Sequence, residues 1–266
     1  MEDKVLFTRD QDNVGWLTLN RPDVHNALDK EVLEIFLEHL KLLHEDHTLR
    51  ALVISGKGKS FCSGADLHWM KETETLTESE SIERANLLSF MFTSLNTLPF
   101  PVISYVHGAV RGGGIGFLGC SDIVIADFQT TFAFSEVKIG LIPAIISPYL
   151  LRGTCSRALQ RYFLTAETFN TSVALQIGLI HSVDEKGSKE KALELCLQHI
   201  LSASPQALRE MKKLLTHLQK EVTDRDRQLT VEALATLQRS QEGKQGLSSY
   251  FNKEAPPWVP ERYRDD

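Results

Sequence analysis

The stretch HGAVRGGGIGFLGCSD, residues 107–122, follows directly on the apolar run VISYV, residues 102–106. Such a run predicts a short buried strand, and the glycines after it predict a tight turn from which a helix begins. An earlier segment has the same arrangement, because ALVIS, residues 51–55, precedes the loop that contains FCSGADL, residues 61–67. Two buried strands that each lead into a glycine turn indicate an α/β core.

The glycine pattern does not indicate a dinucleotide site. Gly114, Gly116 and Gly119 match GxGxxG, but only three residues separate Gly119 from the next β-type run at Ile123, which leaves no room for a crossover helix. Each glycine turn instead places backbone N–H groups where little side-chain bulk obstructs a ligand. Two such amides aimed at one point would form an oxyanion hole, although either turn alone is equally compatible with a purely structural role.

Hydrophobic periodicity divides the chain into two parts. Residues 29–44 and 81–98 predict amphipathic helices, whereas the polar stretch 71–80 between them predicts a mobile flap. The strand patterns are concentrated in the first half, and everything after Ser156 is typical of successive helices. We therefore predict an α/β core domain over residues 1–190 and a C-terminal helical region over residues 191–266, which docks on its own core or on a neighbour's.

Composition and charge exclude several classes of protein. The chain of 266 residues has 29 Lys and Arg against 35 Asp and Glu, a net charge of −6, which argues against nucleic acid as a partner. The longest apolar stretch, residues 139–151, is interrupted by glycine and proline and is too short to span a membrane. The charged N-terminus has no signal-peptide pattern, which predicts a cytoplasmic location. The four cysteines form no CxxC pair, so neither a disulfide framework nor a metal site is expected.

One carboxylate lies within an apolar segment. In FAFSEVKIGLIP, residues 132–143, Glu136 is surrounded by aromatic and branched side chains. Burial disfavours the charged form of a carboxyl group and moves its pKa toward values at which it both accepts and donates a proton. Glu136 is therefore a candidate acid/base, although a solvated glutamate paired with Lys138 is the alternative.

Four motifs in order resemble the enoyl-CoA hydratase/isomerase family, the crotonases. They are LNRPDVHNAL (19–28), FCSGADLHWM (61–70), HGAVRGGGIGFLGCSD (107–122) and FAFSEVKIGLIPA (132–144), and the tail EGKQGLSSYFNKEAPPW (242–258) also looks like the family's C-terminal end. The resemblance implies a spiral of ββα turns with a C-terminal helical region, acyl-CoA thioester substrates and assembly as trimers or hexamers. It implies no separate cofactor and no metal, because coenzyme A arrives as part of the substrate.

The resemblance also implies roles for individual residues. The backbone amides of Ala65 and Gly113 would form the oxyanion hole, with Glu136 as the acid/base. The residues expected to line the substrate site are Asp23, Val24, His25, Ser63, Gly64, Asp66, Leu67, Gly116 and Ala144. Lys212 and Phe251 match C-terminal positions that touch the nucleotide from a neighbouring subunit.

The chain departs from the family pattern at Gly116, where typical hydratases carry a second glutamate. With one carboxylate, a hydratase must use it for both proton transfers or borrow a group from the substrate. An isomerase that moves a double bond from the 3- to the 2-position needs only one carboxylate. The departure therefore favours an isomerase.

Two segments nevertheless favour a hydratase. SGADLHWMK (63–71) and SEVKIGLIPAIISPY (135–149) look most like bacterial methylglutaconyl-CoA hydratases of leucine degradation, and the branched residues 145–146 would narrow the acyl pocket. We therefore predict a lyase that hydrates a short branched or glutaconyl-type 2-enoyl-CoA, with glycine at 116 leaving room for an anionic acyl tail. The alternatives are an enoyl-CoA isomerase, a thioester-binding or assembly protein without turnover, and an RNA-binding protein.

Overall fold

The structure is a computed structural model that describes residues 3–185, 190–203, 205–218 and 224–257. Within these ranges the strands are β1 (Val5–Arg9), β2 (Val14–Leu19), β3 (Ala51–Gly56), β4 (Val102–Val106), β5 (Ala109–Arg111), β6 (Ile123–Asp127), β7 (Thr131–Ala133), β8 (Phe169–Asn170) and β9 (Ser182–Asp184). The α-helices of the same residues are α1 (Lys30–His44), α2 (Leu67–Glu72), α3 (Glu78–Asn96), α4 (Gly113–Cys120), α5 (Ser147–Gly153), α6 (Ser156–Thr165), α7 (Thr171–Gln176), α8 (Lys191–Ser202), α9 (Pro205–Leu218), α10 (Asp224–Arg239) and α11 (Gln241–Asn252).

The strands form two sheets. The larger has the order β1-β2-β3-β4-β6-β9, in which only the edge strand β1 runs antiparallel to its neighbour. The smaller has the order β5-β7-β8. The α/β class predicted from the two glycine-terminated strands is confirmed.

Both faces of the central strands are covered, which accounts for their unbroken apolar sequences. On one face, α1 and α3 pack with the aromatic side chains Phe36, Phe61, Phe92 and Phe117. On the other face, Leu193 and Ile200 of α8 pack in a cluster that includes Val53, Ile103 and Ile125. Helix α1 begins where the sequence predicts, since the Asp29 carboxylate accepts a 2.8 Å hydrogen bond from the amide of Val32.

The structure differs from the sequence prediction at two places in the fold. Strands β5, β8 and β9 were missed, because runs of two or three residues give no measurable alternation. The stretch 71–80, predicted as a flap, contains the end of α2, a 3₁₀ turn and the start of α3. Thr77 and Glu80 form a reciprocal capping box at the start of α3, so this polar sequence is a helix boundary.

The described residues after Lys191 are mostly helical, and they pack against the same chain. α10 packs along α3, and α11 packs against the 3₁₀ turn Glu136–Ile139. Their proposed part in trimer formation stays a prediction. None of the helices in the described ranges is long and apolar enough to cross a bilayer.

Candidate active site

The two glycine turns meet at the ends of the strands. Cys62 pairs with Val110 of β5 in an isolated parallel bridge, and the amide of Arg111 donates a 3.0 Å hydrogen bond to the carbonyl of Cys62. This bridge holds the loop after β3 against the loop after β4.

Close backbone contact brings the two predicted oxyanion amides together. Gly64 has φ of +91°, and a Cβ added there would lie 3.1 Å from the carbonyl oxygen of Arg111 and 3.6 Å from the amide nitrogen of Gly113. Among the described residues, the amides of Ala65 and Gly113 donate to no acceptor. Gly113 is the first residue of α4, so its N–H also lies at the positive end of that helix. Two free N–H groups thus lie at the junction of the turns.

Asp66 has a structural role, and its contact with substrate stays a prediction. It is buried, it caps α2 by accepting a 2.9 Å hydrogen bond from the amide of His68, and it pairs with Arg21 at 3.0 Å. Its own amide donates to the carbonyl of Leu28 at 2.9 Å. These bonds fix the loop that carries Ala65, and they leave Asp66 outside the substrate cavity.

Glu136 lies beside the turns. It begins the 3₁₀ turn Glu136–Ile139, and its Oε1 would be 3.1 Å from a Cβ added at Gly112, whose φ of +46° also favours glycine. Its Oε2 is buried and has no hydrogen-bond partner among the described residues. Burial without a compensating cation raises the pKa of Glu136 to about 7. The pairing with Lys138 that served as the alternative is absent from the ion pairs of the described residues.

Helix α11 holds the Glu136 turn in place. A Cβ at Gly246 would lie 2.3 Å from the carbonyl of Ile139, so the two backbones are in direct contact. This contact accounts for the second glycine of the tail motif EGKQG, because Gly246 is the residue at which α11 approaches the turn. Trp258 at the end of that motif lies outside the described residues.

A cavity of about 390 Å³ joins these groups. Of the predicted site residues it is lined by Ser63, Gly64, Ala65, Leu67, Gly113, Glu136 and Ala144. The rest of its wall is mostly apolar and includes Leu28, Ala85, Leu88, Leu141, Ile142, Ile145, Ile146 and Leu234. The second carboxylate on the wall, Glu254, is exposed to solvent.

Gly116 does not line this cavity, and the prediction that it leaves room for an acyl tail was wrong. A Cβ there would lie 2.4 Å from the ring of Phe92 and 2.5 Å from Cγ2 of Ile146. Ile146 itself lines the cavity, so Gly116 lies behind the wall. The space that a glutamate would need is filled by apolar side chains.

The remaining predicted contacts lie farther out. Asp23, Val24 and His25 are exposed, and they adjoin the cavity through the amide of Ser63, which donates to the carbonyl of His25 at 3.0 Å. Lys212 lies at a second cavity, where it donates to Asp122 at 2.6 Å and to the carbonyl of Phe100 at 2.8 Å. Phe251 is half-buried on α11, and the Lys71 ammonium lies 5.8 Å from its ring centroid. Their contacts with a neighbour's nucleotide stay predictions.

Sequence reasoning missed several polar residues on the cavity wall, among them Arg84 of α3 and Gln238 of α10. The Arg84 guanidinium donates to the carbonyl of Trp69 and to Glu72, and it stacks over the Trp69 ring with 4.7 Å to the centroid. Each residue stands four positions from a cavity-lining leucine on its own helix, Leu88 and Leu234 respectively. That spacing is the signal that could have found them.

The model of the enoyl-CoA hydratase/isomerase family matches residues 9–261. The chain belongs to this family. It is therefore an enzyme, and the crotonase-type fold expected from the motifs is confirmed by a crystal structure of an enoyl-CoA hydratase from Mycobacterium avium. That structure has a TM-score of 0.87 and 32% identity, with 97% of this chain and 100% of the other covered.

Curated relatives of similar length include both reaction types. A crotonyl-CoA hydratase of Syntrophomonas wolfei is 27% identical, with 93% of this chain and 95% of the relative covered. A trans-2-decenoyl-[acyl-carrier-protein] isomerase of Streptococcus mutans is also 27% identical, with 97% of this chain and 99% of the relative covered.

The packing around Gly116 gives a stability prediction. Gly116→Ala should lower the free energy of unfolding by about 1–3 kcal/mol, because the added methyl group overlaps Phe92 and Ile146. Gly153→Ala is the matched control, since nothing lies within 4 Å of a Cβ at that position. Chemical denaturation of both variants measures the difference. Equal stability of the two would show that the side chains behind the wall move aside without cost.

Proposed function

We propose that this enzyme hydrates a short 2-enoyl-CoA whose branched acyl group ends in a carboxylate, of the 3-methylglutaconyl type. The observation that carries the proposal is the position of Glu136, whose Oε2 is buried and which lines the same cavity as Ala65 and Gly113. The amides of Ala65 and Gly113 have no acceptor among the described residues. Coenzyme A enters as part of the substrate, and the proposed reaction uses no further cofactor.

The two amides have a direct role in the chemistry. When water adds to a double bond conjugated with a thioester, negative charge develops on the thioester oxygen. The N–H groups of Ala65 and Gly113 donate to that oxygen, and one such donor contributes about 3 kcal/mol to transition-state stabilisation. Because both are backbone groups in close-packed turns, they require no rearrangement as the charge develops.

Glu136 carries both proton transfers. As a carboxylate it accepts a proton from the water whose oxygen attacks the β-carbon, and as the resulting acid it returns that proton to the α-carbon. A pKa of about 7 suits both steps, because neither form is strongly favoured near neutral pH. One carboxylate is then enough if the water is held by a further group.

The proposal of a branched acyl group with a distal carboxylate rests on the residues of the cavity wall and not on Gly116. The wall is mostly apolar, which suits a branched hydrocarbon acyl group. Two cations line this wall, the exposed Lys138 and Arg84, and the Arg84 side chain is only 15% exposed and keeps a permanent positive charge. Its carboxylate partner Glu72 has a side chain that is 63% exposed, and its other acceptors, the Trp69 carbonyl and the Thr73 hydroxyl, are neutral. A substrate carboxylate entering the cavity would therefore meet a guanidinium whose ion pair lies at the surface.

The isomerase is the second candidate function, and the absence of a buried second carboxylate from the described cavity wall favours it. An isomerase would use Glu136 to take a proton from the α-carbon of a 3-enoyl-CoA and return it to the γ-carbon. Assays with 3-methylglutaconyl-, crotonyl- and 3-hexenoyl-CoA separate the two functions. Rapid isomerisation without hydration would overturn the hydratase.

Glu136→Gln tests the acid/base role. Turnover should fall by about 10²–10⁴ while thioester binding persists, because the amide retains the shape but transfers no proton. Hydration starts from the carboxylate, so in the native enzyme kcat/KM should rise with pH through a limb centred near 7. Lost binding in the variant, or a pH profile without that limb, would contradict the assignment.

Arg84→Gln tests the acyl specificity. The variant should lose about 10- to 100-fold in kcat/KM for 3-methylglutaconyl-CoA but far less for crotonyl-CoA, which has no distal carboxylate. Arg161→Gln is the control, since Arg161 forms an exposed pair with Glu167 away from the cavity wall. Equal losses for both thioesters would assign Arg84 a structural role only.

We also propose assembly as a trimer or hexamer through the C-terminal helical region. The apolar faces that suggest it are Leu193, Leu197, Ile200, Leu208, Met211, Leu215 and Leu218. Leu193 and Ile200 are buried in the chain's own core, whereas Met211 and Leu215 are about half exposed, and the side chain of Leu218 lies outside the described residues. Light scattering should give three or six times 29.9 kDa, and a monomer at micromolar concentration would refute the assembly.

A further inference from the structure

Two glycines of α4, Gly116 and Gly119, bring this helix into close contact with the start of α5. A Cβ added at Gly116 would lie 2.5 Å from Cγ2 of Ile146, and one added at Gly119 would lie 3.0 Å from Cβ of Tyr149. The two glycines are three residues apart and therefore lie on one face of α4. Their contact with α5 fixes Ile146, and Ile146 lines the cavity that contains Glu136.

Ile146 lies close to the amide proposed to hold the thioester oxygen. Gly113 begins α4, and Gly116 follows three residues later, an advance of about 4.5 Å along the helix axis. Because Cγ2 of Ile146 contacts the helix at Gly116, the Ile146 side chain lies about one turn beyond the Gly113 amide. Three bonds of an extended chain span about 3.6 Å, so an acyl chain that runs along α4 from Gly113 reaches Ile146 after about four bonds, near its fourth carbon.

The exposure of the wall residues shows which end of the cavity receives the acyl group. Leu67, Lys138 and Tyr250 are exposed and lie at its mouth, whereas Ile145 and Ile146 are only 3% and 2% exposed. The coenzyme A part of a thioester is large and strongly charged, so it stays at the mouth. The acyl group is then the part of the substrate that reaches the buried end.

Ile146 is supported from behind and cannot easily move aside. Phe92 is fully buried and is not among the described residues that line the cavity, and its ring would lie 2.4 Å from a Cβ added at Gly116. The backbone before α5 is a closed turn, because the amide of Ser147 donates a 3.1 Å hydrogen bond to the carbonyl of Pro143. A wall made of close-packed side chains on fixed backbone has a defined position.

We propose that Ile146 is the end wall of the acyl site and limits an acyl chain along α4 to about four carbons. Gly116 leaves the space that Ile146 occupies. The distal carboxylate of the proposed substrate turns away from this apolar end toward α3, which carries Arg84. The inference rests on the proposed function in placing the thioester oxygen at the amides of Ala65 and Gly113, and it holds for a hydratase and an isomerase alike.

Binding of saturated acyl-CoAs tests this limit without turnover. Titration calorimetry of the full chain compares butyryl-CoA with hexanoyl-CoA, which is longer by two methylene groups. The native enzyme should bind hexanoyl-CoA no more tightly than butyryl-CoA. In Ile146→Ala, which removes Cγ1, Cγ2 and Cδ1 from the wall, the ratio of the butyryl to the hexanoyl dissociation constant should rise about 10-fold, because the added methylene groups become buried.

Two further variants complete the test. Ile146→Val removes a single methyl group, disturbs the fold less and should raise the same ratio about 3-fold. Ile103→Ala is the matched control, since Ile103 is fully buried on the opposite face of the large sheet and does not line the cavity. Its ratio should equal that of the native enzyme.

The outcomes separate this inference from the proposed function. Native binding that is about 10-fold tighter for hexanoyl-CoA, an unchanged ratio in the folded Ile146 variants, or an equal rise in Ile103→Ala would overturn the role of Ile146 and leave the proposed function standing. A native enzyme that binds neither thioester would overturn the thioester site, and this inference with it.

Discussion

The site depends on the backbone bridge between Cys62 and Val110. It joins the loops after two parallel strands and brings Gly64 so close to the other loop that an added Cβ would lie 3.1 Å from the Arg111 carbonyl oxygen. A side chain at Gly64 would separate the two loops, and the two free amides would no longer share a cavity. Because the bridge is made by main-chain atoms between buried residues, its geometry follows from the packing of the sheets and not from flexible side chains.

Burying a carboxylate oxygen without a hydrogen-bond partner destabilises the charged form of the group, and in this structure the residue affected is Glu136. The apolar wall raises its pKa, and Gly112 allows the carboxylate to approach the turn of the oxyanion amides. The same apolar wall fills the space at Gly116, so a second acid could not be accommodated there. The charged residues on the described cavity wall are Glu136, Arg84 and the solvent-exposed Lys138 and Glu254.

The C-terminal helices complete the cavity of their own chain. Leu234 and Gln238 of α10, with Tyr250 of α11, line the same space as Glu136. Gly246 brings α11 onto the turn that begins with Glu136. The cavity thus depends on contacts between segments more than a hundred residues apart, and a change on α11 acts on the Glu136 turn through direct packing.

The sequence by itself determined the α/β core, the helix from Asp29, the family and the segments that carry Ala65, Gly113 and Glu136. These follow from local causes, since apolar runs, caps and glycine turns act over a few residues. Only the tertiary structure decided that Gly116 faces Phe92 and Ile146, that Asp66 is held by Arg21, and that Arg84 and Gln238 reach the cavity. Those facts depend on which helix faces cover which strands, and periodicity identifies an apolar face but does not say what it packs against.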